Sequence, residues 1–129
     1  MSKILIVEDD KKIAMSLSVR LRAEGHETVV AHDAILALTV AMRERPDLAI
    51  LDISMPGGNG IQVAERMQNN NNLAGTPMIF ITASRHEGIR EEAEATGAIG
   101  FFEKPYDIVE LMSCVNQGLG LEPQPISGE

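Results

Sequence analysis

Four short apolar runs in this sequence each end at side chains that could take part in chemistry. In chain order these side chains are Glu8 with Asp9, then Asp52, Thr82 and Lys104. Carboxylates that lie close together repel one another, and they are the hard oxygen ligands that Mg²⁺ prefers. Beside a bound cation, an aspartate could attack phosphorus while a hydroxyl and an ammonium group stabilise the phosphoryl oxygens. These residue types therefore indicate phosphoryl transfer, with Asp52 as the candidate nucleophile.

The sequence has none of the glycine-rich loops that hold nucleotide phosphates. It contains neither a GxxxxGK loop followed by Ser or Thr nor a GxGxxG loop. The predicted site would therefore hold a phosphoryl group on the chain itself and would not bind ATP.

The elements that must position these side chains alternate along the chain. Short, continuously apolar runs predict strands, and apolar residues repeated every three or four positions predict a helix after each strand. Five strands alternating with five helices imply right-handed crossovers and a parallel sheet covered on both faces. The predicted fold is α/β, a flavodoxin-like doubly wound sheet of five parallel strands in the order 2-1-3-4-5. The strands are predicted at residues 4–7, 27–31, 48–51, 78–81 and 98–102.

Helix ends and buried faces can also be predicted. Asp10 and Asp33 are placed to cap the first and second helices, and Asp107 with Glu110 has the spacing of a capping box before the last helix. The polar fourth helix is predicted over residues 85–95. The residues predicted to face the core from the second helix are Ala34, Leu38, Ala41 and Met42.

Each candidate site residue also has a purely structural interpretation. Either Asp9 or Asp10 could cap the following helix, and Asp52 could be a turn residue at the end of a strand. Thr82 could satisfy backbone groups, and Lys104 could be exposed. All four interpretations would have to hold together at one sheet edge, so the shared site is favoured.

Length, charge and cysteine usage restrict the class of protein. A chain of 129 residues has the size of one domain, which we expect over residues 1–119, with residues 120–129 as a flexible Pro-containing tail or linker stub. A net charge of −8 argues against binding to nucleic acid or to a membrane surface. The single cysteine cannot form an internal disulfide, and the start of the chain is too acidic for a signal peptide. We therefore expect a cytoplasmic domain.

Four segments of the sequence together resemble the receiver domains of bacterial response regulators in two-component signal transduction. The resemblance extends over about residues 3–119, and each segment alone would be weak. The segments are IVEDD at 6–10, LDISMP at 51–56 followed by NG at 59–60, ITA at 81–83, and FEKP at 102–105.

The resemblance implies a phosphoacceptor and a metal site. Asp52 would accept a phosphoryl group from the phosphohistidine of a histidine kinase or a phosphotransfer protein. Glu8 and Asp9 would bind Mg²⁺ together with Asp52 and the backbone carbonyl of Ser54. Such a domain would be a signalling protein that catalyses only its own phosphorylation and dephosphorylation.

The resemblance also implies a conformational switch. Thr82 and Lys104 would contact the phosphoryl oxygens, and the Lys104–Pro105 peptide bond would be cis. Phe101 lies at an aromatic position whose ring turns inward when the threonine moves. Because the ring has no hydroxyl group, we expect this switch to work through packing alone.

The expected output surface is the face of the fourth helix, fifth strand and fifth helix. A downstream protein or a missing effector domain would bind there, and phosphorylation could also produce a homodimer. Two alternatives are a small phosphatase of the haloacid-dehalogenase type and a pseudo-receiver that binds partners without phosphorylation. The first requires a DxD pair after the first strand, which Glu8-Asp9-Asp10 does not provide.

Overall fold

The computed structural model describes residues 1–55 and 58–121 of the chain. Its main sheet has five parallel strands in the spatial order β2-β1-β3-β6-β7. This is the predicted order 2-1-3-4-5, since the additional strands β4 and β5 form a separate two-stranded antiparallel sheet. The strands are β1 (Lys3–Val7), β2 (Glu27–Ala31), β3 (Leu48–Asp52), β4 (Ser54–Met55), β5 (Gly58–Asn59), β6 (Met78–Thr82) and β7 (Gly100–Glu103).

Helices cover both faces of the sheet. Side chains alternate along each central strand, so that Leu5 and Val7 of β1 face one core while Ile4 and Ile6 face the other. The first core packs under the second, third and fourth helices, and the other packs under the first and fifth. The helices are α1 (Lys11–Ala23), α2 (Ala34–Glu44), α3 (Gly60–Gln68), α4 (Ile89–Glu94) and α5 (Ile108–Gly118).

Polar side chains begin four of the five helices. Asp10 accepts hydrogen bonds from the backbone N–H groups of Lys12 and Ile13, and Asp33 accepts one from Leu36, as the sequence predicts. Asp107 caps α5, but the reciprocal bond from Glu110 that a capping box requires is not formed. The reciprocal capping box begins α3 instead, between Asn59 and Gln62.

Helix α4 is shorter than the predicted helix over residues 85–95. The Ser84 hydroxyl accepts a hydrogen bond from the His86 N–H, which favours a turn. Gly88 then adopts a left-handed conformation with φ of 84° and provides no side-chain cap. The helix therefore begins only at Ile89.

Two other predicted details differ in the structure. Met42 is 50% exposed, because α2 uses the small residues Ala34, Ala37 and Ala41 for close packing against the sheet. The last strand begins at Gly100, although the Ile99 N–H still donates to the Met78 carbonyl in line with the sheet. The predicted tail lies almost entirely outside the described residues, so it stays a prediction.

No helix in the described part of the chain has both the length and the apolar character that a membrane span requires.

Gly60 gives a test of how closely the backbone packs beside β3. A Cβ at this position would overlap the backbone carbonyl group of Asp52. We expect Gly60→Ala to lower the free energy of unfolding by about 1–3 kcal/mol, because the backbone must shift to admit the methyl group. Chemical denaturation measures this change.

Gly75→Ala is the matched control, because a Cβ there meets no atom within 4 Å. Its stability should stay close to that of the wild type. Equal effects of the two substitutions would contradict the proposed close approach.

Candidate functional site

The predicted site residues meet at the carboxyl edge of the main sheet. Asp52 and Thr82 are the last residues of β3 and β6, while Glu8 and Lys104 directly follow β1 and β7. Backbone hydrogen bonds continue the sheet through this edge, since the Glu8 N–H donates to the Ala31 carbonyl at 3.0 Å. The parallel topology therefore brings together residues that are far apart in the sequence.

Three carboxylates form the centre of the site. One oxygen from each of Glu8, Asp9 and Asp52 lies within 4.8 Å of the others. Glu8 and Asp52 are buried, whereas Asp9 is exposed at the rim. Two buried carboxylates at this separation repel one another and require positive charge nearby.

The Lys104 ammonium group supplies part of that charge. Its Nζ lies 2.6 Å from Glu8 Oε1 and 3.3 Å from Asp52 Oδ2. Burial alone would lower the pKa of Lys104, but the hydrogen bond to Glu8 and the charge of Asp52 outweigh it and raise that pKa. Lys104 is therefore cationic, and its one positive charge faces three carboxylates.

Burial and the neighbouring Asp52 raise the pKa of Glu8 to about 7, even though Lys104 and a backbone N–H act in the opposite direction. That N–H belongs to Asp10 and donates to Glu8 Oε2 at 3.1 Å. Asp10 therefore both caps α1 and orients Glu8. The raised pKa indicates that one ammonium group does not fully compensate the buried carboxylates.

His32 also contacts this part of the site, and the sequence assigned it no role. Its Nδ1 lies 3.0 Å from the backbone carbonyl oxygen of Glu8. The contact joins the loop after β2 to the end of β1. No spacing pattern could have indicated it, because a single ring nitrogen meets a backbone atom 24 residues away.

Backbone groups around β3 orient Asp52. The Ser54 N–H donates to Asp52 Oδ1 at 3.2 Å, so both carboxylate oxygens of Asp52 have a partner. The Gly60 N–H donates to the Ile53 carbonyl at 3.0 Å, which holds the start of α3 against the end of β3. The Asp52 carboxylate is therefore held in place at both of its oxygens.

Thr82 lies at the end of the next strand with its side chain fully buried. Its Oγ1 accepts a hydrogen bond from the Ser84 N–H at 2.9 Å, which leaves the hydroxyl proton available for donation. The Thr82 carbonyl accepts from the Lys104 N–H at 2.8 Å, and the Lys104–Pro105 bond is cis. Thr82 and Lys104 are thus joined through the backbone.

Phe101 lies on edge strand β7 and is partly buried against the core under α4. The guanidinium carbon of Arg90 is 5.3 Å from the centre of its ring. This distance is typical of a cation–π interaction. The ring thus has an electrostatic contact as well as apolar packing, and the expected switch through packing alone stays a prediction.

The donor set of the carboxylate cluster fits a hard divalent cation. All three side chains provide oxygen atoms, and Asp9 opens to solvent, so a bound ion could keep some of its water ligands. Mg²⁺ prefers this combination of carboxylates and water. The residues therefore suit the magnesium site that the resemblance implied.

Comparisons with known proteins agree with the fold. The family model for the response regulator receiver domain matches residues 4–116. The sporulation initiation phosphotransferase F of Bacillus subtilis is 36% identical over 121 residues, which are 93% of this chain and 95% of that protein. The DNA-binding response regulator MtrA of Mycolicibacterium paratuberculosis is 35% identical over 91% of this chain, which spans only 51% of MtrA.

A solved structure extends the comparison to the metal. The receiver domain of a sensor histidine kinase from Pseudomonas aeruginosa superposes with a TM-score of 0.83 and 27% identity, covering 92% of this chain and 98% of that one. That structure has a magnesium ion coordinated in the active site cleft. With its flavodoxin-like sheet and acidic cluster, the chain belongs to the response regulator receiver domains of two-component signal transduction.

Proposed function

We propose that this receiver domain accepts a phosphoryl group on Asp52 from the phosphohistidine of a histidine kinase or a phosphotransfer protein. The observation that carries the proposal is the buried Asp52 carboxylate, with Lys104 at 3.3 Å and two further carboxylates beside it. A carboxylate oxygen of Asp52 attacks phosphorus, and the P–N bond of the phosphohistidine breaks. The electron pair of that bond stays on the imidazole.

Glu8, Asp9, Asp52 and the backbone carbonyl of Ser54 are the proposed ligands of Mg²⁺. A bound ion would supply positive charge that offsets the repulsion among these groups and neutralises the phosphoryl oxygens. The incomplete compensation of Glu8 and Asp52 by Lys104 supports this assignment. The magnesium-bound relative from Pseudomonas aeruginosa supports it further.

Lys104 and Thr82 are the proposed contacts of the phosphoryl oxygens. The Lys104 ammonium group already lies beside an oxygen of Asp52, so it can pair with an oxygen of the new phosphoryl group. The Thr82 hydroxyl group can donate a hydrogen bond to another oxygen of the phosphoryl group. Both groups stabilise charge that develops on the phosphoryl group.

Phosphorylation is proposed to shift an existing equilibrium between two conformations, with Thr82 and Phe101 connecting the site to the face formed by α4, β7 and α5. The Arg90 contact stabilises the ring position seen here. A move of Thr82 toward the phosphoryl group would open space for the ring to turn inward and would break that contact.

The same proposal defines the chemical nature of the partners. The donor carries a phosphohistidine, and the output is a protein that binds the face of α4, β7 and α5 or an effector domain on the same protein. We expect this domain itself not to contact nucleic acid, although the relative MtrA is a DNA-binding regulator. Phosphorylation-dependent homodimer formation stays a prediction.

The haloacid-dehalogenase alternative is not supported by the topology, because Asp52 is the last residue of β3 and does not follow the first strand. A pseudo-receiver would bind its partners without phosphorylation of Asp52. Measuring phosphorylation of the chain therefore separates that alternative from the proposal.

Asp52 should be the single phosphorylation site. Incubation with Mg²⁺ and acetyl phosphate should add the mass of one phosphoryl group, as measured by intact-protein mass spectrometry. Asp52→Asn should abolish the addition, because the amide is not a nucleophile.

Asp47→Asn is the control. Asp47 is exposed and directly precedes β3, so it lies at the amino ends of the strands, away from the site. That variant should be phosphorylated like the wild type. A wild type that stays unmodified would favour the pseudo-receiver.

Magnesium should stabilise the protein through Asp9. We expect the midpoint of thermal unfolding to rise with the Mg²⁺ concentration, because the ion binds the folded cluster. Asp9→Asn should fold normally, since the side chain is exposed, but should need at least about tenfold more Mg²⁺ for the same increase, since even outer-shell groups contribute that much.

Asp10→Asn removes the adjacent charge and keeps a good helix cap, so its response to Mg²⁺ should stay close to that of the wild type. If Asp9→Asn and Asp10→Asn weakened the response to Mg²⁺ equally, the response would depend on the net charge of the region. That result would count against Asp9 as a ligand.

Arg90 should restrain the ring of Phe101. A cation–π contact at an exposed site contributes about 0.5–1 kcal/mol, so its loss should change the ratio of ring conformations by about two- to fivefold. In NMR spectra of phenylalanine-labelled protein, Arg90→Gln should move the Phe101 signals of the unphosphorylated protein toward their phosphorylated positions.

Arg85→Gln is the control, because Arg85 is 75% exposed and its nearest carboxylate, on Glu103, is 3.9 Å away. Identical spectra of the Arg90 variant and the wild type would show that the contact does not restrain the ring.

A further inference from the structure

The outward side of α2 is apolar and exposed. Ile35 is 71% exposed, Leu36 52% and Met42 50%, and Thr39 lies between them on the outer surface of the helix. Residues four and seven positions apart on a helix lie on the same side, so Ile35, Thr39 and Met42 form a continuous row, with Leu36 beside it. We call these four residues the α2 stripe. A row of large apolar side chains on a helix surface is typical of an interaction site.

Charges occur only at the two ends of this helix. Residues 34–42 contain no charged side chain, while Asp33 precedes the helix and Arg43, Glu44 and Arg45 lie at its end. The Arg43 guanidinium already pairs with Glu44 at 3.0 Å, whereas Arg45 is exposed. The stripe is therefore negative at one end, positive at the other and neutral between them.

This distribution is complementary to itself. If two copies of α2 pack antiparallel about a two-fold axis near residues 38–39, Ile35 of each copy lies opposite Met42 of the other. Asp33 of each copy then lies near residues 44–45 of the other, where Glu44 already pairs with Lys3 and Arg43, and Arg45 is the exposed charge. The antiparallel arrangement also places each helix N-terminus beside the partner's C-terminus, which favours the helix dipoles. A two-fold axis requires such self-complementarity.

Helix α1 gives an instructive contrast. Met15 is 61% exposed and Val19 is 55% exposed, so α1 also carries apolar groups on its surface. With its caps included, as for α2, α1 has Asp10, Lys11 and Lys12 at one end and Arg20, Arg22 and Glu24 at the other, so basic residues outnumber acidic ones at both ends. Two copies of α1 would repel each other, whereas two copies of α2 would not.

We propose that the α2 stripe is a contact surface for a second copy of this chain. The helix has 11 residues and is about 16 Å long, so the contact area is small and the dimer is weak. Helix α2 packs on β2, which is the edge strand opposite β7. The dimer therefore leaves the face of α4, β7 and α5 free, and it does not depend on phosphorylation of Asp52.

Sedimentation velocity of the full chain, from micromolar to millimolar concentrations, tests the proposal. We expect a monomer–dimer equilibrium that Ile35→Glu weakens at least about tenfold, because a buried apolar side chain becomes charged. Glutamate in the first turn is compatible with the helix, so this variant should keep its fold. Arg45→Glu should weaken the dimer by about tenfold, because two favourable charge pairs become repulsive.

Met15→Glu on α1 is the matched control and should leave the equilibrium unchanged. Asp52→Asn should also leave it unchanged, so that failure of phosphorylation and failure of dimerisation can be told apart. A wild type that is monomeric at every concentration would overturn the proposal. Equal weakening by Ile35→Glu and Met15→Glu would overturn it too, as would a dimer that forms only after phosphorylation.

Cross-linking tests the position of the axis. In a Cys114→Ala background, which removes the only native thiol, Thr39→Cys should form a disulfide-linked dimer under mild oxidation. Ser16→Cys, at an exposed position on α1, is the control and should cross-link much more slowly. Equal cross-linking rates for the two variants would contradict the α2 contact.

Discussion

The ion pairs of Lys104 with Glu8 and Asp52 are the interactions on which the site depends. Two carboxylates are buried beside one ammonium group, at 2.6 and 3.3 Å, and a third carboxylate lies at the rim. Burying charge is costly, and a single lysine cannot balance three carboxylates. The fold thus maintains a local deficit of positive charge at a fixed position, and this deficit suits a divalent cation.

The surrounding backbone keeps this arrangement rigid. Asp10 and Ser54 donate N–H groups to the two buried carboxylates, and the end of β7 is held to the end of β6 by the bond from Lys104 to Thr82. Phe101 lies on β7, three residues before Lys104, with Arg90 over its ring. Asp52, Thr82 and Phe101 thus lie on three neighbouring strands of the sheet, β3, β6 and β7.

Much of the fold could be predicted because its signals are local. Continuous apolar runs identified the central strands, and Asp10 and Asp33 identified two helix starts. The exposure of Met42 was not predicted. A periodic pattern shows which side of a helix is apolar, but it does not show how closely small residues such as alanine allow that helix to approach the sheet. The late start of α4 depends on a turn at Ser84 and on the left-handed conformation of Gly88. Neither feature can be predicted from the helical spacing of apolar residues.

The sequence by itself determined which residues gather at the site. In a parallel sheet with this strand order, side chains at the carboxyl ends of β1, β3, β6 and β7 must share one edge. Glu8, Asp52, Thr82 and Lys104 could therefore be named in advance. Only the tertiary structure decided their pairing and their neighbours. The bridge made by Lys104 and the ring contact of Arg90 join residues whose separation along the chain follows no period, since these contacts depend on how side chains from different elements pack in space.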